Sequence, residues 1–182
     1  PTGALGLMLN AVIGGTNFFA GITSVSLGPG VTVNTVTVKS LTQMIVNITI
    51  APGATIGSRD VTVTNGGMGG GTSTLPAPFS VVNPAPTITS VIPPSAVSGQ
   101  TVTLTIAGMN FMSAQTTVSF GAGITVNTLT VNSPTQMSAA ISISSSATGG
   151  SRDVTVTNPL PGGGDAVLTG GFTINNPAPT IT

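Results

Sequence analysis

Apolar and polar residues alternate along much of this chain with a period of two. Thr101–Ala107 is the clearest stretch: Val102, Leu104 and Ile106 share one parity, and Thr101, Thr103 and Thr105 the other. Successive side chains of a strand point to opposite faces, so this pattern predicts a strand with one buried and one wetted face. Thr87–Ile92 predicts a short strand before it, stopped by Pro93-Pro94. Thr116–Phe120, Ile124–Val131, Gln136–Ile143, Asp153–Thr157 and Ala166–Ile174 predict the strands that follow, and Phe111, beside the corner at Gly108, is expected to plug the core. One segment slips phase. Ile124 and Val126 share a face while Leu129 and Val131 take the opposite parity, which calls for a bulge or bend between them. Nothing in the chain repeats at 3.6, so no helix is expected.

The strand pattern occurs twice. Ser58–Asn65 and Ser151–Asn158 are the same eight letters, Ser-Arg-Asp-Val-Thr-Val-Thr-Asn, 93 residues apart (151 minus 58). The pairs Asn17-Phe18 and Asn110-Phe111, the Thr-Val-Asn-Thr runs at Thr32 and Thr125, and Thr-Gln-Met at Thr42 and Thr135 keep that offset without a gap. The chain therefore reads as all-β, with two tandem immunoglobulin-like β-sandwich domains of about seven strands each. The last strand of each copy carries Pro76 and Pro78 or Gly170-Gly171 and is predicted to be an edge strand with a break, because proline cannot donate to a central ladder.

Between the copies stands Asn83–Thr89, Asn-Pro-Ala-Pro-Thr-Ile-Thr, and the same seven letters return at Asn176–Thr182. Its prolines fix φ and hold their neighbours extended, so Asn83, Pro84 and Pro86, and again Asn176, Pro177 and Pro179, form a stiff joint. The expected division is repeat one over 1–83, repeat two over 84–176, and 177–182 as the start of a next repeat or a donor strand. Pro1 aligns with Pro94, so repeat one is expected to lack its first strand, while Thr180, Ile181 and Thr182 begin such a strand for a further copy. A window cut from a longer array and a strand handed between molecules both account for this.

Composition narrows the functions. Only 3% of residues are charged: Lys39, Arg59 and Arg152 against Asp60, Asp153 and Asp165, for a net charge of zero. With 40% hydrophobic residues the chain can bury cores, and little charge repels one copy from another. Such a surface suits an assembly of copies or a solubilising coat of glycan. Cysteine is absent, so no disulfide framework exists. The longest apolar run, Ala4–Ile13, is broken by Gly6 and Asn10 and is far short of the roughly 20 residues that span a bilayer.

Pro86–Phe111 begins Pro-Thr-Ile-Thr-Ser-Val-Ile-Pro-Pro-Ser and, after Gly99, ends Gln-Thr-Val-Thr-Leu-Thr-Ile-Ala-Gly-Met-Asn-Phe. This stretch resembles the opening of the IPT/TIG family of immunoglobulin-like domains, and Thr116–Gly121 and Asp153–Asn158 resemble that family's later strands. The resemblance runs over nearly the whole chain. It implies an early-set sandwich, often found in tandem on bacterial surface proteins. Some members bind DNA, and others sit beside carbohydrate-active domains, so function does not follow from the likeness.

Little chemistry is on offer. With no His, Cys, Glu or Tyr there is no general base near neutrality, and Asp60 and Asp153 belong to separate copies, so no enzyme and no cofactor is expected. Zinc lacks its usual ligands. For calcium the one loop carboxylate is Asp165, where repeat one has Thr72. Gly66–Gly71 and Gly162–Gly164 read as turns, since no Lys or helix start follows to make a phosphate cradle. Three cations cannot drive nucleic-acid binding. Asn47-Ile48-Thr49 matches a glycosylation sequon but lies in a strand pattern. Arg59 and Arg152 take the inward parity at a strand's start. Each is placed either to cap an open sandwich end with its fork on carbonyls or the adjoining domain, or to lay its stem on apolar surface.

These features lead to an extracellular structural protein, with tandem repeats forming or belonging to a cell-surface filament or stalk and further copies as its partners. The alternative is an adhesin or carbohydrate-associated binding module that recognises a ligand through its loops.

Overall fold

The computed structural model describes residues 1–179 and 181. The chain divides into two compact units, Pro1–Asn83 and Pro84–Thr182. No α-helix occurs among the described residues.

Unit 1 contains β1 (Thr2–Ala4), β2 (Met8–Gly14), β3 (Thr23–Ser26), β4 (Val31–Ser40), β5 (Gln43–Ile50), β6 (Gly57–Asn65) and β7 (Thr72–Val82). They form one sheet in the order β1-β7-β6-β3 and another in the order β2-β5-β4. Unit 2 contains β8 (Thr87–Ile92), β9 (Ser95–Val97), β10 (Thr101–Met109), β11 (Thr117–Ser119), β12 (Ile124–Ser133), β13 (Gln136–Ile143), β14 (Gly150–Asn158) and β15 (Gly164–Asn175). Its sheets run β12-β13-β10-β8 and β11-β14-β15-β9. Each unit is an immunoglobulin-like sandwich, and the two share every strand except β8.

Alternation builds the cores. On β13, Met137, Ala139, Ile141 and Ile143 are buried while their neighbours are not, and Met44, Val46, Ile48 and Ile50 repeat this on β5. Each fully buried branched side chain contributes about 1.5–3 kcal/mol. Phe111 and Phe18 are buried beside them. Phe120 and Phe172 meet edge to face at 5.7 Å and 74° in the core of unit 2. The phase slip is a bulge in both copies. The register of β12 on β13 shifts between Val126 and Thr128, and that of β4 on β5 between Val33 and Thr35.

Two features differ from the sequence reading. The three-residue strands β1 and β9 were not expected. They run parallel to β7 and β15, pairing Thr2–Ala4 with Ser80–Val82 and Ser95–Val97 with Thr173–Asn175. As a result the last strand is not an edge strand throughout: its final residues are hydrogen-bonded on both sides, and Pro76 and Pro78 fall before that stretch. The expected break is present. Register shifts between Arg59 and Val61 and between Arg152 and Val154. Opposite them, Ala77 (φ 53°) and Gly170 (φ 63°) take the left-handed conformation. The carboxylates of Asp60 and Asp153 accept from Ala77 N at 2.9 Å and Gly170 N at 2.8 Å, holding the kink.

Candidate functional site

The joint segment Asn83–Pro86 poses a particular hydrogen-bonding problem. Proline has no N–H, so an Asn-Pro-Ala-Pro run offers mostly acceptors, and buried carbonyls need donors from elsewhere. Unit 2 supplies them from two asparagines. Asn158, at the end of β14 and 1% exposed, donates through Nδ2 to Pro84 O at 2.9 Å and to Asn110 O at 2.7 Å. Asn110 donates in turn to Ala85 O at 2.7 Å. A relay fixes the orientation of the Asn158 amide: Met112 N donates to Thr116 Oγ1 at 2.7 Å, and that hydroxyl donates to Asn158 Oδ1 at 2.6 Å. Asn83 and Pro86 are both buried. The joint is thus bonded into the sandwich that follows it.

From this clasp the chain enters β8, which lies antiparallel on β10 with Val91 opposite Ile106 and Ile88 opposite Gly108. Val91 is buried and Ile88 packs on the same core. Gly108 is required here: a Cβ at that position would stand 2.0 Å from Thr87 O and 2.5 Å from Phe111 Cζ. Strand β8 also lies close to β15, and the core on which Ile88 packs includes the fully buried Val154 and Val156.

Unit 1 holds the same relay. Phe19 N donates to Thr23 Oγ1 at 2.8 Å, Thr23 Oγ1 to Asn65 Oδ1 at 2.6 Å, and Asn65 Nδ2 to Asn17 O at 2.8 Å. Among the described residues its β2, the counterpart of β10, is paired on one side, with β5. At its C-terminal end opens a cleft of about 610 Å³ whose lining includes Ile13, Gly15, Asn17, Val63, Asn65 and Leu75. Here Val63 is only half-buried and Leu75 is 62% exposed, whereas their counterparts Val156 and Leu168 are buried and half-buried.

The remaining candidate residues are placed as follows. Asn176, Pro177 and Pro179 are exposed, and so is Ile181, while Thr180 and Thr182 lie outside the described residues. Arg152 donates to the carbonyls of Thr148 at 2.6 Å, Ser151 at 3.0 Å, Ala122 at 3.3 Å and Gly150 at 3.5 Å. Arg59 donates to Ser58 O at 3.2 Å and to Thr55 O, and its Nε is buried without a protein partner. Arg152 thus bridges two loops of its own sandwich, those of Thr148 and Ala122, whereas the hydrogen bonds of Arg59 stay within the segment that leads into β6. Asp165 accepts from Thr157 Oγ1 at 2.6 Å, and among the described residues no three His, Cys, Asp or Glu side chains come together. The sequon residue Asn47 sits on the central strand β5, its Nδ2 donating to Asn10 Oδ1 at 2.7 Å.

Sequence reasoning did not single out Asn158, Asn110 and Thr116 as a unit. The available signal was an asparagine closing both copies of the repeated octapeptide and another before each core phenylalanine.

Residues 85–159 match the family model described as quinohemoprotein amine dehydrogenase, alpha subunit domain III, which is less than half of the chain. No curated protein matches. Among solved structures, an I-band fragment of titin is similar at 14% identity with a TM-score of 0.46. The match covers 98% of this chain, which spans 62% of that fragment. The adhesin InvE of Yersinia pseudotuberculosis is similar at 11% identity and a TM-score of 0.39, covering 96% of this chain and 56% of that one. SGBP-B of the Bacteroides ovatus mixed-linkage glucan utilization locus is similar at 19% identity and a TM-score of 0.33, covering 96% and 45%.

Proposed function

We propose that this chain is a structural, extracellular protein of IPT/TIG-like tandem repeats, forming or belonging to a cell-surface filament or stalk, with no catalytic role and no cofactor. The observation that supports it most is the joint. Asn158 and Asn110 bond the carbonyls of Pro84 and Ala85 into unit 2, so tension along the chain loads a hydrogen-bonded strand rather than a slack linker. The scarcity of charge and of titratable side chains fits a product that is shape rather than reaction. Electron microscopy of the purified protein tests the reading. The expected result is continuous thread with an axial repeat on the order of 30–40 Å, the length of a ten-residue strand with its turns. Isolated two-domain rods that bind defined glycans on an array would replace it with the binding-module reading.

A further inference from the structure

The two copies of the octapeptide Ser-Arg-Asp-Val-Thr-Val-Thr-Asn end on equivalent asparagines but continue differently. Asn65 is followed by Gly66, and Asn158 by Pro159. Asn65-Gly66 is the one Asn-Gly pair in the sequence. The difference decides a reaction. An asparagine amide can be attacked at Cγ by the backbone nitrogen of the next residue, which must give up its N–H proton. Glycine offers that N–H with no Cβ to obstruct the approach. Proline has no N–H to give.

The surroundings of Asn65 favour the attack. Thr23 Oγ1 donates to Asn65 Oδ1 at 2.6 Å, and the hydroxyl is oriented by accepting from Phe19 N at 2.8 Å. A donor held on that oxygen draws electrons from Cγ and stabilises the oxyanion that forms on attack. An asparagine at a strand end must also leave its extended conformation before Cγ meets the next nitrogen. The segment Gly66–Gly71 consists of five glycines and Met68, all exposed, and the Gly66 N–H is held by a long hydrogen bond, to Ile22 O at 3.3 Å. A hairpin tip of this composition opens locally at little cost. Unit 2 carries the same relay, with Thr116 Oγ1 donating to Asn158 Oδ1 at 2.6 Å, but Pro159 denies it the nucleophile.

We infer that Asn65 is a site of spontaneous deamidation that dismantles the amide relay of unit 1, and that Pro159 protects the equivalent relay of unit 2. The Gly66 nitrogen bonds to Asn65 Cγ, the Cγ–Nδ2 bond breaks, and Nδ2 leaves as ammonia with the proton given up by Gly66. Water then opens the five-membered imide at either carbonyl, leaving aspartate or isoaspartate at position 65. One water is consumed and one ammonia released, with no oxidant or enzyme required. The new carboxylate keeps the bond from Thr23 but has no hydrogen to donate. Asn17 O therefore loses the donor it has at 2.8 Å and faces an anionic acceptor instead.

The test incubates the 182-residue protein at neutral pH and physiological temperature and maps it by mass spectrometry with separation of isomeric peptides. The expected result is a gain of about 1 Da at position 65, as both aspartate and isoaspartate, at least about tenfold ahead of Asn158 and of every other asparagine. If Asn65 stays intact over the time that converts a free peptide of residues 61–70, or if Asn158 converts equally fast, the inference is overturned. Gly66→Pro should abolish the reaction. Gly66→Ala keeps the N–H, its methyl would meet only Ile22 O at 3.9 Å, and it should slow conversion about tenfold in a protein that still folds. Rates unchanged by these substitutions overturn the imide route. Asn65→Asp fixes one product in place: exchange at the amides of Ile22 and Thr23, both bonded to Phe19 O, should quicken about tenfold with unit 2 unchanged. Exchange equal to the parent's would overturn the loss of the relay. None of these readouts depends on whether the chain forms filaments.

Discussion

Replacing Asn158 by alanine should loosen the whole joint. Its side chain makes three hydrogen bonds: it accepts from Thr116 Oγ1 at 2.6 Å and donates to Pro84 O at 2.9 Å and Asn110 O at 2.7 Å. Each is worth about 0.5–1.5 kcal/mol net, and a buried partner left unpaired costs about 1–3 kcal/mol. At 1% exposure, water cannot replace the lost amide. The expected loss for unit 2 is therefore about 3 kcal/mol, or about 12–24 °C in Tm for a domain of this size. Asn65 of unit 1 provides the internal control. It makes two such bonds, to Thr23 and Asn17, and is half-buried beside the cleft, so Asn65→Ala should cost unit 1 only about 1 kcal/mol. Two units in one chain do not unfold as a single transition. Hydrogen exchange by mass spectrometry through a denaturant series reads each unit separately and needs no Trp or Tyr. Equal losses from the two substitutions, or a loss under about 1 kcal/mol from Asn158→Ala, would refute the clasp as the source of the joint's order.

Gly108→Ala places a methyl 2.0 Å from Thr87 O and should destabilise unit 2 by about 2–3 kcal/mol with early exchange of β8, whereas Gly15→Ala, which meets only a ring, should cost unit 1 about 1 kcal/mol by the same measurement. Ala77→Gly relieves a left-handed alanine and should raise the stability of unit 1 by about 1 kcal/mol, and Gly170→Ala, whose Cβ would make only ordinary contact with Ser151 at 3.9 Å, should lower that of unit 2 by a similar amount in denaturant melts. Arg152→Ala removes the donors to the carbonyls of Thr148 and Ala122 and should speed exchange in both loops at a cost of about 1–2 kcal/mol; a melting curve unchanged from the parent would assign the side chain to solvent. Arg152→Lys should not rescue it, since an ammonium lacks the fork that spans two loops.

What the sequence disclosed and what it hid divide along a physical line. Alternation with a fixed period sums over many residues, so strands such as β10 and β13 and the slip at Asn34 and Asn127 were legible one residue at a time. The exact repeat revealed the joint. Strands β1 and β9 were not legible, because three residues such as Ser95-Ala96-Val97 carry no period, and their partners Thr173–Asn175 are distant in sequence. The error over the last strand has the same root: Pro76 and Pro78 correctly marked unpaired backbone, but nothing local signalled the parallel pairing that begins at Ser80. The asparagine clasp was hidden for a different reason. Asn110 and Asn158 look like ordinary turn and strand-end residues, and their role exists only because the fold brings both to the carbonyls of a linker.

That clasp also explains how so uncharged a chain can order the segment that leads into unit 2. Ion pairs would be the usual way to fix a linker, yet this sequence has almost none to spend and no buried charge at the joint. Prolines remove the linker's donors and hold its residues extended, so its order no longer depends on a ladder of its own. What remains is a row of acceptors whose spacing is fixed, and neutral amides on the receiving unit can match it. Because Asn, Thr and backbone groups do not titrate, the match is set by geometry alone. The amides are oriented by a threonine that is itself held by a backbone N–H, in both units alike. Both halves of the device recur in the sequence: Asn17 and Asn65 match Asn110 and Asn158, and Asn-Pro-Ala-Pro stands at 83–86 and again at 176–179.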